Sequence, residues 1–401
     1  MRTIFEACDP RPEVLHGELR EEIFAARLKD VIDGRAERVY QDPVVFYDNT
    51  YPTAGLRSLL AEALGRLTGL RPANNPIIRL ETAFGGGKTH NLIALYHAAG
   101  GDVGSDPARF VDPALVPAQG TIKAVGVVGS DLDPSTGIKH REVTTYTLWG
   151  ELAYQLGGAA GYDLVAASDQ SSKAATGTGV WERLVGDRPT LLLLDEVARH
   201  LRSAKAIPTA TRKSDLAEQT VAFLMSLLEF AASKERVVVV LTLADVADTF
   251  GKETEELRQE LAEARRMSAR QERVITPTGE AEISAIVTHR LFRRVDTAAA
   301  HAASDAYHAY YSRLLDQGAE LPQRAARAEY AAELVASYPF HPELLTTLNR
   351  KTSTIPNFQK TRGALRLLAV TVRQLWKHKP ADCFFIHPTT WTWATRRSPT
   401  T

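Results

Sequence analysis

Two cysteines in 401 residues, Cys8 and Cys383, are too few and too far apart for a disulfide framework or a cysteine-based zinc site. Net charge is missing as well. Lys plus Arg and Asp plus Glu stand at 48 each, so no whole-chain field draws the protein to nucleic acid or to a membrane surface. Long apolar runs are absent too: the most apolar stretch, "RVVVVLTLA", is far shorter than a bilayer requires. The opening "MRTIFEACDPRPEV" carries acids and prolines where a signal peptide needs an apolar segment. No internal repeat or low-complexity tract interrupts the chain. His90, His97 and His200 have no paired metal-ligand spacing. These absences predict a soluble cytoplasmic protein without a membrane partner.

What is present is ordinary globular composition, 44% apolar and 24% charged. Residues 13–33 carry Leu19, Ile23, Leu28 and Val31 at helical spacing and predict one amphipathic helix. A second helix is expected from Thr53 to Gly65 or Gly69, with Leu56, Leu59, Leu60 and Leu64 inward. From residue 76 short apolar runs alternate with helical stretches, the pattern of a parallel sheet with crossover helices. The runs are "PIIRL" (76–80), "TIKAVGVV" (121–128), "TLLLLD" (190–195), "RVVVVLTL" (236–243) and "RVIT" (273–276). Loops at 100–120 and 158–180, rich in small residues and proline, read as exposed excursions. After about residue 278 the strands stop. Thr278 reads as the N-cap of a helix carrying Ile283, Ile286, Val287 and Leu291, and further helices are expected near 304–316, 321–336, 342–350 and 362–377. The expected division is a helical region (1–70), an α/β core (71–278), an all-α domain (279–380) and a tail (381–401).

The stretch "ETAFGGGKTH" (81–90) fits G-x-x-x-x-G-K-[ST] except that Thr82 replaces the first glycine. It follows an expected strand and opens an expected helix, the context a phosphate-binding loop requires. Glycines let several backbone N–H groups turn toward one anion, and the helix aims its positive end at the same place. Phe84, Gly85, Gly86, Gly87, Lys88, Thr89 and His90 are therefore candidate ATP-binding residues. Lys88 would reach the β- and γ-phosphates, and the Thr89 hydroxyl would ligate Mg²⁺. The plain alternative is a flexible glycine-rich turn.

Such a site needs an acid at the end of another buried strand, and "LLLLDE" supplies one. Asp195 is the second candidate Mg²⁺ ligand and Glu196 the candidate general base. Without the upstream glycines the pair would read as a solvated strand cap. Thr242 is the one polar residue inside "VVVVLTLAD". It either contacts the γ-phosphate or is a core residue with a satisfied hydroxyl. Ser130 and Asp131 either restrain Glu196 or form an ordinary turn.

This arrangement resembles the AAA+ ATPases, P-loop NTPases whose five-stranded parallel sheet runs in the order 5-1-4-3-2 with helices on both faces and an all-α lid behind it. The resemblance implies an arginine from the lid reaching the nucleotide. "TRGALRLL" offers Gly363 and Arg366, with Arg362 and Arg373 on the same flank; an ordinary solvated edge looks the same. It also implies an arginine finger just before the fifth strand, where Arg270 and Arg273 are the candidates. More narrowly, "TYPTAGLRSLL", "LETAFGGGKTHNLIALYH", "LLLLDEVARHL", "ITPTGEAEISAIVTHRLF" and "FQKTRGALRLLA" resemble a family of large bacterial and archaeal AAA+ ATPases catalogued mainly as a domain of unknown function. Its members are often encoded beside DNA methyltransferases and helicases in phage-defence islands, and Thr82 is ordinary among them. The likeness runs from about residue 10 to 380. Family members are about twice this length, so "FFIHPTTWTWATRRSPTT" reads as the frayed end of a shortened chain.

The resulting expectation is an oligomeric ATPase that remodels DNA or a partner such as a methyltransferase or helicase. A nucleotide-dependent switch with little turnover is the alternative. A P-loop kinase is disfavoured by the adjacent Asp195 and Glu196 and by the helical domain. Arg290, Arg293 and Arg294 lack the aromatic interleaving of a single-strand platform and read as a solvated face.

Overall fold

In the computed structural model, which describes residues 1–17, 26–81, 87–243, 255, 259, 272–278, 282–352 and 360–388 (main chain only at 243, 323, 326, 349–352 and 360–364), the five apolar runs become five strands. They are β1 (Ile77–Glu81), β2 (Lys123–Val128), β3 (Thr190–Asp195), β4 (Val237–Leu243) and β5 (Glu272–Ile275). All pair in parallel, in the order β5-β1-β4-β3-β2. This is the order expected from the resemblance.

Strand period explains the core. Ile78, Leu80, Leu191, Leu193, Val238 and Val240 point to one face, into a cluster with Leu59, Leu60, Leu92 and Leu95. Those leucines belong to helices α1 (Ala54–Leu67) and α2 (Lys88–Ala99). Ile77, Leu192, Leu194, Val237, Val239 and Leu241 point to the other face and meet Trp149, Trp181, Phe223 and Leu227. These come from α3 (Leu148–Asp163), α4 (Thr178–Val185) and α6 (Leu216–Ser233); the short α5 (Val197–Ala204) follows β3. A sheet covered on both faces is why the strands read as continuous apolar runs. At the β2 edge, the Gln155 amide pairs with both the N–H and the C=O of Gly126 at 2.9 Å, which blocks further strand pairing there.

The chain divides into two compact units, one of Ala26–Asp48 with Pro52–Gly279 and the other of Met1–Ala25 with Asn49–Tyr51 and Glu280–Thr401. The first holds the sheet. The second holds α7 (Ile283–Leu291), α8 (Thr297–Asp316), α9 (Ala328–Ser337), α10 (Pro342–Thr352) and α11 (Lys360–His378).

Four expectations are corrected. Residues 13–33 are not one helix: Pro12–Leu15 and Leu28–Ile32 are separate short helices, with bend and extended residues between them in the described part. Leu19 and Ile23 lie outside the described residues, while Leu28 and Val31 are buried as expected. The second unit is not all-α, because Phe292–Val295 pairs antiparallel with Cys8–Pro10. A four-residue run finds its partner near the chain's start, a separation no local pattern reveals. The segment after residue 380 is not frayed where it is described. Cys383, Phe385 and Ile386 are buried, and Ile386 bridges Phe340. Residues 389–401 lie outside the described set. Nor are 100–120 and 158–180 mere excursions, since Phe110, Leu115, Tyr162 and Val165 enter the core. Among the described residues, no helix is long and apolar enough to cross a membrane.

Candidate nucleotide site

β1 delivers the chain to the glycine-rich segment. Phe84, Gly85 and Gly86, with Thr82, lie outside the described residues. Gly87 is described. It takes a left-handed conformation, φ +88°, as the residue preceding α2. Its carbonyl accepts both the backbone N–H and the side-chain amide of Asn91, each at 2.8 Å. A side chain here would be strained by the backbone angle, so glycine is required. Lys88 and Thr89 then open a twelve-residue helix.

The sheet's register assembles the polar centre. Asp195 ends β3 at the carboxyl edge of the sheet, where Val128 of β2 lies beside it. One strand over, Thr242 of β4 lies beside Leu80 of β1. Asp195 and Thr242 share the strand parity of Leu193 and Val240, so both side chains emerge on the face covered by α2. The contacts follow. The Thr89 hydroxyl donates to Asp195 Oδ2 at 2.8 Å, and the Thr242 hydroxyl donates to Asp195 Oδ1 at 2.6 Å. The Glu196 backbone N–H donates to the Thr242 hydroxyl at 3.1 Å. Thr242 is therefore the structural bridge between the two acidic positions. Its hydroxyl is taken up by side-chain and backbone partners around Asp195.

Asp195 is 2% exposed. Burial pushes its pKa up, and the Glu196 charge adds to that; the Thr242 and Thr89 hydrogen bonds and the Lys88 ammonium pull it down. Lys88, Thr89, Asp195, Thr242 and Glu196 are thus brought together.

The Glu196 carboxylate is turned elsewhere. Its backbone is left-handed, φ 52° and ψ 36°, and its side chain is 41% exposed. Arg199, one turn along α5, holds it at 3.0 Å. Sequence reasoning missed this partner, although the i,i+3 spacing carried the signal. Asp131 pairs instead with Arg27 at 3.1 Å, and Ser130 lies in a turn, so neither restrains Glu196 here. Between them and Glu196, Gly129 makes the close approach: a Cβ there would stand 2.4 Å from the Glu196 carbonyl oxygen.

The remaining candidates separate. His90 stacks on Phe46, ring centres 4.5 Å apart. Arg273, 48% exposed, reaches Glu62 and Ser58 of α1, both at 3.2 Å, so it is engaged within its own unit. Arg270 lies outside the described residues. Arg366 is exposed on α11 of the other unit. Its expected companion Arg373 donates to the Val14 carbonyl at 2.8 Å and to that of Gly17, which fixes the N-terminal segment. The side chain of Arg362 lies outside the described set. Thr278 is not the cap of the described α7, which starts after Glu282. It lies against Gly87 instead, where a Cβ would stand 3.1 Å from the Thr278 hydroxyl.

Among the described residues, no group of three or more His, Cys, Asp or Glu side chains is placed to hold a metal ion. Among the described residues, the Asp195 carboxylate and the Thr89 hydroxyl are oxygen groups that meet here. No curated protein matches the sequence. The family model described as the DUF499 N-terminal domain matches residues 5–276, and the one described as the DUF499 second domain matches 278–392. With both domains matched along nearly its whole length, the chain belongs to the DUF499 family.

Proposed function

We propose that this chain is an ATP-binding and ATP-hydrolysing protein of AAA+ type. The observation that carries the reading is the convergence of Thr89 and Thr242 on the two oxygens of buried Asp195, at the end of a helix that begins in Gly87-Lys88. A lysine and a helix N-terminus supply positive charge for phosphates. Thr89 and Asp195 are hard oxygen donors whose atoms already meet at 2.8 Å, a set that suits Mg²⁺. When bound with nucleotide, Mg²⁺ neutralises phosphate charge. Its charge would also reverse the pressure toward protonation that burial puts on Asp195.

Lys88 would orient the β- and γ-phosphates. Glu196 would take the proton from the attacking water, giving ADP and phosphate. Its pair with Arg199 is exposed on both sides, and such pairs contribute about 1 kcal/mol or less, so releasing the carboxylate costs little. The family resemblance supports an oligomeric remodelling component of a DNA-modification or phage-defence system, with DNA, a methyltransferase or a helicase as partner. A second reading, a nucleotide switch with little turnover, is favoured by that same Glu196–Arg199 pair, because it occupies the base.

Mg²⁺-dependent ATP hydrolysis by the purified chain and by Glu196→Gln tests the reading. General bases contribute on the order of 10²–10⁴-fold. The wild type should turn over, and the variant should bind ATP while losing hydrolysis on that scale. Binding without turnover in both would leave the switch; no ATP binding by the wild type would overturn both readings.

A further inference from the structure

The strand order fixes which way a nucleotide would lie, if the preceding reading holds. The glycine-rich segment follows β1, and Asp195, Thr242 and Glu196 all lie on the β4–β3 side of it. A triphosphate with its γ end there leaves its base on the other flank, toward β5. The chain leaving β5 is Thr276-Pro277-Thr278, and it is held in place: the Thr53 hydroxyl donates to the Pro277 carbonyl at 2.7 Å. Gly55 packs so close that a Cβ would stand 2.1 Å from the Thr276 carbonyl oxygen. On this flank Thr278 Oγ1 and Asn91 Nδ2 stand 3.1 and 3.5 Å from the point where a Gly87 Cβ would be.

Asn91 is the unusual residue. It is 4% exposed, its Nδ2 is committed to the Gly87 carbonyl, and its Oδ1 is buried with no hydrogen-bond partner among the described residues. Because Nδ2 must face a carbonyl, the amide cannot be flipped, and the unpaired group is an acceptor. A buried acceptor without a donor is costly, and it discriminates strongly between ligands that bring a donor and ligands that bring an acceptor.

We propose that Asn91 selects the base, its side-chain oxygen accepting from the exocyclic amino group of adenine, so that adenine nucleotides bind in preference to those with a carbonyl at that ring position. Guanine and hypoxanthine place an oxygen there, which faces the Asn91 oxygen without a proton between them.

Equilibrium binding of Mg²⁺-ATP and Mg²⁺-ITP, which differ at this edge of the base, tests the inference on the full chain. The wild type should prefer ATP by about tenfold or more, the scale of one hydrogen bond to a buried acceptor. Asn91→Leu should remove the preference by weakening ATP and leaving ITP nearly unchanged. Equal affinities in the wild type would overturn the proposal, and that ratio needs no variant to fold. Equal weakening of both nucleotides by Asn91→Leu would also overturn it, leaving Asn91 as a support for Gly87. A wild type that binds neither nucleotide would instead sink the underlying nucleotide reading.

Discussion

The two units bury polar groups in different ways. In the sheet unit, Asp195 draws its partners from α2 and β4, and strand register puts them in reach. In the helical unit a half-buried group of tyrosines and histidines pairs within itself around buried His341. Tyr307 pairs with His387 and Tyr311 with His341, both at 3.0 Å, with the two tyrosines one turn apart on α8. The Glu343 N–H donates to His341 Nδ1, so the proton sits on Nε2 and is given to Tyr311. That cluster is neutral and internally paired. The Asp195 cluster contains a carboxylate held in a place that raises its pKa. Burial works against the charged form of Asp195 while the two hydroxyls work for it, whereas a neutral network that is paired has no such conflict.

The largest effect should come from Lys88→Ala. Nucleotide binding should fall below detection while thermal unfolding without nucleotide stays near wild type. Retained affinity would remove the reason for assigning the site to phosphates.

Matched deletions sharpen the contrast. Thr242→Val strips a hydrogen bond from Asp195 and leaves the Glu196 N–H unpaired. Tyr311→Phe leaves the His341 N–H unpaired. Each should cost about 1–3 kcal/mol in denaturant unfolding. Only Thr242→Val should also weaken Mg²⁺-ATP binding. Equal effects of both on binding would erase the distinction.

Acid should act through buried histidines in both units. Burial lowers His200 and His341 to about 4, with the His387 ring adding to the effect on His341. An unfolded histidine takes its proton near pH 6.5, while the folded ones resist until about 4. The stability they contribute is therefore complete at neutral pH and is lost as pH falls from roughly 6.5 toward 4. Urea unfolding at pH 7, 6 and 5 should show that decline, with a shallower slope for His341→Gln. Superimposable slopes would contradict the assignment.

Arg273→Ala should have the smallest effect. It removes a half-exposed pair with Glu62 and should cost about 1 kcal/mol or less in thermal unfolding. A large loss of hydrolysis without loss of stability would restore Arg273 as a finger.

The strands were legible because burial on both faces leaves uninterrupted apolar runs, and "TLLLLD" occupies the residues expected of it. The meeting of Thr89 and Asp195 was legible because each lies just past an apolar run that reads as a strand. Thr242 was half legible: its place in the strand showed, but the register that puts it beside Asp195 did not. Arg199, Asn91 and Thr278 were not singled out for the site, because their roles come from where side chains end up around Gly87 and Glu196. The pairing of Phe292–Val295 with Cys8–Pro10 was illegible for want of any local signal.

On the reading proposed above, Thr89 and Asp195 form a cation site that serves a nucleotide. Calorimetric titration with ATP, with and without Mg²⁺, of the wild type and Asp195→Asn tests it most directly. Mg²⁺ should strengthen ATP binding at least tenfold in the wild type and much less in the variant, the loss of one anionic ligand. Equal Mg²⁺ dependence in the two proteins would contradict it.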